Sequence, residues 1–299
     1  MNKINITFLG TSGAIPTKKR NHTAILARFA SENILIDCGE GTQRQFKMQG
    51  ISPTKLTRIL ITHWHGDHIL GLPGLFQTLA LSGYQKTLEI YGPRGTKNLI
   101  QLVEELQFAF RIKLKVHEIY QGTIIDKEDF KVEAAEMSHG VPAIAYSITL
   151  KDKIRLNKSK LKKFKLPNSP ILGELASGKD IIFKGKKIKA SQVTYYERGK
   201  KVTIVLDTIF NENAISLAKN SDLLIAESTF SKDDKDKIIE AKHLMAHQAA
   251  EIAKKSKSKK LILTHISQRY EHNPKIIEKE AKKVFKNTNL ANDFDVIKI

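Results

Sequence analysis

One short segment limits what this chain can be. Thr62-His63-Trp64-His65-Gly66-Asp67-His68 places three histidines and a carboxylate within six residues, directly after the apolar run Arg58–Ile61. In a tight turn at a strand end, side chains at i and i+2 can converge on one ion, and the aspartate with the next histidine can face another. Imidazole nitrogens and carboxylate oxygens are good zinc ligands. So dense a cluster repels itself when protonated and needs a charge or a metal to organise it. The segment therefore calls for a rigid sheet whose strand ends carry the chemistry.

The rest of the chain supplies such a sheet. Ile4–Leu9, Ala24–Arg28, Asn33–Asp37, Arg58–Ile61, Leu88–Tyr91, Asp129–Ala135, Ala143–Leu150, Val202–Leu206, Leu223–Ala226 and Leu261–Leu263 read as strands. Helical periodicity appears over Thr42–Met48, Gly66–Leu81, Gly95–Phe108, Glu212–Asn220, Met245–Lys255 and Pro274–Lys286. Further metal-ligand types recur after strands: His139 follows Asp129–Ala135, Asp207 follows Val202–Leu206, and His265 follows Leu261–Leu263. With His63, His65, Asp67 and His68 this makes seven candidate ligands. That is more than one zinc requires and suits a pair of ions bridged by a carboxylate. His22, His117, His247 and His272 lack this context and read as structural or surface residues.

Charge is the second unusual property. The 299 residues carry 50 Lys+Arg against 31 Asp+Glu, a formal charge of +19. Between Lys151 and Lys189, 13 basic and three acidic residues give +10, about half the excess in 39 residues. This stretch interrupts the alternating pattern and reads as an inserted, flexible basic arm over residues 151–189, either a solvated loop or a polyanion-binding element. The single cysteine, Cys38, excludes an internal disulfide and fits a reducing compartment. The N-terminus reads as a strand rather than a signal peptide, and no apolar run is long enough to span a bilayer. A cytoplasmic protein with no membrane partner is expected.

His-x-His-x-Asp-His followed by His139, Asp207 and His265 resembles the metallo-β-lactamase superfamily. That resemblance implies an α/β fold, an αββα four-layer sandwich formed by a single domain over 1–299, with metals at one edge of its two sheets. Further segments resemble the ribonuclease Z (tRNase Z) branch along nearly the whole chain. These are FLGTSGAIPTKKRN with Pro16, Lys18, Arg20 and Asn21, then IDCGEGTQRQ with Thr42, THWHGDHILGLPGL, Ser138-His139-Gly140, Asp207-Thr208, AESTF with Glu227, and LILTHISQRY with Arg269. The basic arm falls where that family inserts a tRNA-gripping exosite. Leu244 and Met245 depart from the family's usual Ser/Thr residues after His243, Ser169-Pro170 stands for its Gly-Pro, and Val205-Leu206 for its Ser-Gly.

The resemblance implies a zinc-dependent endoribonuclease that removes the 3′ trailer of precursor tRNA after the discriminator base and leaves a 3′-hydroxyl. His63, His65 and His139 would hold one zinc, Asp67, His68 and His265 the other, with Asp207 bridging; manganese or iron also suits such mixed ligands. Hydrolysis would use a hydroxide shared by the ions, with Asp67 accepting a proton and a Glu227–His243 pair protonating the leaving oxygen. Pro16, Lys18, Arg20, Asn21, Thr42 and Arg269 would contact substrate. A homodimer is also implied, one subunit's arm holding tRNA for the other. A small-molecule phosphodiesterase and a non-catalytic RNA-binding module are the competing readings.

Overall fold

Apolar side chains occupy both faces of most of these strands, so the strands need cover on two sides. The computed structural model of the protein, which describes residues 3–106, 111–234 and 242–299, provides it with two stacked seven-stranded sheets and helices outside each. The first sheet runs in the order Val296–Lys298, Asn5–Gly10, Ala24–Phe29, Glu32–Ile36, Arg58–Leu60, Thr87–Gly92, Lys113–Glu118. The second runs Thr288–Leu290, Leu261–Thr264, Leu223–Glu227, Lys201–Val205, Ala143–Leu150, Phe130–Met137, Gly122–Asp126.

Alternation along each strand assigns the layers. Ile6, Phe8, Ile25, Ile34 and Ile36 of the first sheet meet Ile144, Tyr146, Ile148, Ile204 and Ile225 of the second in the central core. The intervening residues Leu26, Leu35 and Ile59 face helix residues Phe46, Leu75, Phe76 and Leu79. On the far side Ala145, Leu224, Ala226 and Leu263 face Ala249, Ile252, Ala253 and Ile277. This is the αββα sandwich expected. Tyr146, fully buried, stitches the sheets together by donating its hydroxyl hydrogen to Ile61 O at 2.6 Å, and Ile144 N donates to Thr62 O at 2.9 Å. Both bonds lie at the start of the histidine-rich turn.

Several boundaries differ from expectation for identifiable reasons. The helix read over Gly66–Leu81 is two pieces, Gly66–Ile69 and Leu72–Leu81. Pro73 has no N–H to continue the first helix and suits the first turn of the new one; at the join Gly71 lies so close to Gly39 that an added Cβ would sit 2.0 Å from Gly39 O. The helix Thr96–Glu105 matches Gly95–Phe108 in place, and the end read at Phe108 lies outside the described residues. Lys113–Glu118, whose lysines break the apolar pattern, is a strand at the sheet edge, where such charges are tolerated.

The basic insertion leaves the end of Ala143–Leu150 and returns into Lys201–Val205, two strands that pair antiparallel. It thus replaces a hairpin loop, a place where added chain costs little. Its neck is Lys153–Leu156 paired with Thr194–Glu197, so the folded unit runs past Lys189 to Glu197. Leu175, Ile181, Ile188, Ala190 and Val193 form its own small core, and a hairpin of Ile181–Phe183 with Lys186–Ile188 projects from it. The lysines that dominate the sequence here hid this sparse apolar set. Among the described residues no helix is long and apolar enough to cross a membrane.

Replacing Tyr146 by Phe leaves the Ile61 carbonyl buried without its donor. A loss of about 1–3 kcal/mol in unfolding free energy is expected from urea titration; an unchanged midpoint would show that the inter-sheet bond carries no stability.

Candidate metal centre

The C-terminal ends of parallel strands from both sheets open onto one edge. Ile36 leads to Asp37, Leu60 to the His63–His68 turn, Val205 to Asp207, Glu227 to Thr229, and Thr264 to His265. His139 arrives on the loop after Phe130–Met137. Ligand sites in α/β sheets collect at such carboxyl ends. Two residues there adopt left-handed backbone, Asp37 at φ 58° and His265 at φ 57°. Such conformations are uncommon for non-glycine residues and gather where side chains must be aimed.

All seven sequence-predicted ligands meet. His63 Nε2 and His139 Nε2 each lie 3.1 Å from His65 Nδ1. His68 Nε2 lies 3.2 Å from both His265 Nε2 and Asp67 Oδ2. Asp207 stands between the groups: Oδ2 is 3.4 Å from His63 Nε2 and 3.5 Å from His68 Nε2, while Oδ1 is 3.2 Å from His265 Nε2. The atoms fall into two overlapping sets, His63–His65–His139–Asp207 and Asp67–His68–Asp207–His265, each within 4.8 Å. Asp207 Oδ1 is buried and accepts no hydrogen bond. A carboxylate oxygen left so in a protein interior is costly unless a cation meets it, so the donors present fit divalent metal ions.

A second ring of contacts fixes which nitrogen faces inward. His68 Nδ1 donates to Asp37 Oδ2 at 2.7 Å. His63 Nδ1 donates to the Thr62 hydroxyl at 3.1 Å, which donates in turn to Asp37 at 2.7 Å. His265 Nδ1 donates to Thr229 Oγ1 at 2.8 Å, and that hydroxyl donates to Glu227. His139 Nδ1 donates to Lys242 O at 3.0 Å. Each bond commits Nδ1 and leaves the Nε2 lone pair for a metal. Electrostatics follow the same geometry. Burial and the neighbouring His68 push the His63 imidazole well below its usual range. Burial opposes charge on Asp67 and Asp207, but the surrounding histidines outweigh it and hold both carboxyls low.

Glu227 is fully buried and could be mistaken for a ligand, since it shares a third cluster with Asp207, His243 and His265. Its oxygens are already committed: Oε1 accepts from Thr208 N at 2.7 Å, and Oε2 from Thr229 and from His243 Nδ1 at 3.0 Å. It orients rather than ligates. Burial works against a charged His243, but the carboxylates of Glu227 and Asp207 outweigh it and hold its pKa up at about 9.

The centre forms the floor of a cleft of about 630 Å³ with Ile15, Phe230, Lys242, His243 and Arg269 among its walls. The predicted substrate contacts divide. Arg269 lies on the cleft, its guanidinium 5.6 Å from the Phe230 ring and paired with Asp234 at 3.1 Å. Pro16 and Lys18 are exposed on the loop after Ile15. Arg20 is not a phosphate contact in this arrangement. It is 6% exposed and donates to Thr11 Oγ1, Ala291 O and Asn292 Oδ1, anchoring the loop to the C-terminal segment. Thr42 is also turned inward, its hydroxyl donating to Gly39 O at 2.6 Å. Asn21 braces the same turn, Nδ2 donating to Glu40 O at 2.8 Å. These three residues brace the loops and are not among those that line the cleft. Sequence reasoning missed Asp37 and Thr229, which hydrogen-bond to ligands far from them along the chain; the polar pair Asp37 and Thr62, each just after an apolar strand, was the available signal.

A two-sheet sandwich with a His/Asp metal centre at its edge defines the class as a metallo-β-lactamase-fold protein. The chain is 41% identical to ribonuclease Z of Methanothermobacter thermautotrophicus over 99% of this chain and 97% of that one. It is 40% identical to ribonuclease Z of Nanoarchaeum equitans over 89% and 84%. Among solved structures it resembles the short form of human tRNase Z, with TM-score 0.71, 28% identity and 98% of both chains covered. It shares the fold of the metallo-β-lactamase-fold protein YhfI from Bacillus subtilis, with TM-score 0.73, 21% identity and both chains fully covered. Residues 4–193 also match a family model described as Anti-Pycsar protein Apyc1. The chain belongs to the ribonuclease Z family.

Replacing Asp37 by Asn removes the carboxylate that accepts from His68. Metal affinity is expected to fall about 10–100-fold in a competitive chelator titration; an unchanged affinity would show that Asp37 does not tune the ligands.

Proposed function

We propose that this chain is an endoribonuclease that cuts precursor tRNA after the discriminator base, releasing the 3′ trailer and leaving a 3′-hydroxyl. The observation that carries this reading is the coincidence, in a ribonuclease Z relative, of a His/Asp centre with a Glu227–His243 pair in one cleft. His63, His65 and His139 would hold one divalent ion and Asp67, His68 and His265 a second, with Asp207 shared. Zinc suits these ligands, and manganese or iron is compatible with them. When bound, the ions lower the pKa of water and neutralise charge building on the phosphoryl oxygens.

The chain's own groups then divide the proton transfers. Asp67, kept ionised and lining the cleft, would accept the proton of the attacking water. The leaving 3′ oxygen of ribose is a poor leaving group as an alkoxide and needs a proton. His243 would give it: Nδ1 is held by Glu227, which leaves Nε2 to meet the substrate, and a pKa near 9 keeps the ring charged at neutral pH. Arg269 on the cleft wall and Lys18 on the neighbouring loop supply positive charge for flanking phosphates. The folded basic arm would grip the tRNA body away from the cut. A homodimer, with the arm of one subunit serving the other's cleft, and a cytoplasmic location are consistent with this role.

Three measurements test the reading. Cleavage-site mapping with the metal-loaded protein is expected to place the cut directly after the discriminator base. Vigorous hydrolysis of a small diester with no such cut would favour a small-molecule phosphodiesterase instead. Excising Lys153–Glu197 at its paired neck should abolish tRNA binding and spare bis(p-nitrophenyl) phosphate hydrolysis; equal loss of both in a folded protein counts against the arm as a grip. The acid-competent His243 exists below its pKa, so kcat on precursor tRNA should fall as pH rises through about 9. In Glu227→Gln that limb should move down toward the ordinary histidine value of about 6.5. A limb that stays in place would remove Glu227 from the role.

A further inference from the structure

His243 sits on a segment that is held in an unusual way. Upstream of it, Phe230 leads into Lys232; downstream, Leu244 and Met245 lead into the helix Ala246–Lys255. The two stretches run side by side in a short parallel bridge, with Ala246 N donating to Phe230 O at 3.0 Å and Phe230 N to Leu244 O at 3.5 Å. The bridge goes no further: Lys232 N and His247 N, the next donors on either side, both turn to an acceptor on another element.

A carboxylate from another element takes both. Glu280, 8% exposed on the helix Lys275–Lys282, accepts from Lys232 N through Oε2 at 2.9 Å. Through Oε1 it accepts from His247 N at 3.1 Å and from His247 Nδ1 at 2.8 Å. His247 N is also one of the unpaired donors in the first turn of the helix Ala246–Lys255. That turn normally takes an oxygen from the N-cap side chain. Here the N-cap residue is Met245, which has no oxygen to offer. Glu280 therefore acts as a cap supplied from a distance, and its charge suits the positive end of the helix.

We propose that Glu280 is a positioning residue for the leaving-group proton transfer: by fixing the chain at Lys232 and at His247 it sets where His243 stands against Glu227 and the cleft. None of the predicted metal ligands touches Glu280, so its role separates from metal binding. The inference rests on His243 acting as the acid in precursor tRNA cleavage, and the test keeps the two apart. A nitrophenolate leaves without a proton, whereas a ribose 3′ oxygen does not. Loss of positioning must therefore appear with one substrate and not the other.

The experiment compares the full-length, metal-loaded wild type with Glu280→Ala and Glu280→Gln on precursor tRNA and on bis(p-nitrophenyl) phosphate. Glu280→Ala is expected to lower kcat on precursor tRNA at least tenfold with KM within twofold, and to leave diester hydrolysis within twofold. Glu280→Gln, which keeps the shape and one acceptor, is expected to lose at least threefold on precursor tRNA alone. Adding Met245→Asp to Glu280→Ala returns an acceptor to the helix start and should recover at least a third of the lost rate. Unchanged kcat on precursor tRNA in both single variants, or a parallel fall on both substrates in the isosteric Gln variant, overturns the proposal. A wild type that leaves precursor tRNA uncut overturns the functional reading and this one with it.

Discussion

The structure depends on resolving one electrostatic conflict: five imidazoles and two carboxylates brought to a single point. Two buried carboxylates settle it without entering the centre. Asp37, at the end of a first-sheet strand, accepts from His68 directly and from His63 through Thr62. Glu227, at the end of a second-sheet strand, accepts from His243 directly and reaches His265 through Thr229. Each orients two rings and turns an inward-facing lone pair or proton toward the cleft. The division between the two sheets means that the site exists only when the sandwich is closed. The bonds from Tyr146 to Ile61 and from Ile144 to Thr62 close it next to the turn that carries three of the ligands.

Much of this was legible because ligand chemistry is written locally. His63, His65, Asp67 and His68 lie within one turn, and His139, Asp207 and His265 each follow an apolar strand. The alternation of Ile6, Phe8, Ile34 and Ile36 against Leu26 and Leu35 likewise encoded a sheet covered on both faces. Arg20 and Thr42 show where the reading stopped. Their residue types suit a nucleic-acid contact, but the direction of a side chain is decided by what packs beside it. The partners of Arg20, Ala291 and Asn292, lie at the other end of the chain. A local pattern holds no record of such a meeting.

The arm illustrates the same limit from the opposite side. Its charge was plain in the sequence, while the few apolar residues that give it a core were diluted among lysines. Folding makes it a compact unit on a paired neck and so gives its charge a fixed place rather than a diffuse cloud. Asp37, Thr229 and Glu280 were overlooked for a related reason. Each acts by accepting or relaying hydrogen bonds from residues distant in sequence, and a lone acidic or hydroxyl residue on a strand end or helix face reads as ordinary until its partner is seen.

Asp207 belongs to both ligand clusters and is expected to join two metal positions into one centre. The most direct measurement is the metal content per chain of the zinc-reconstituted protein and its Asp207→Ala variant, read by mass spectrometry of the elements after exhaustive dialysis. Two ions per chain in the wild type, falling to one or none in the variant, is the predicted result. Two ions retained without Asp207, or a wild type that holds a single ion at zinc saturation, would contradict it.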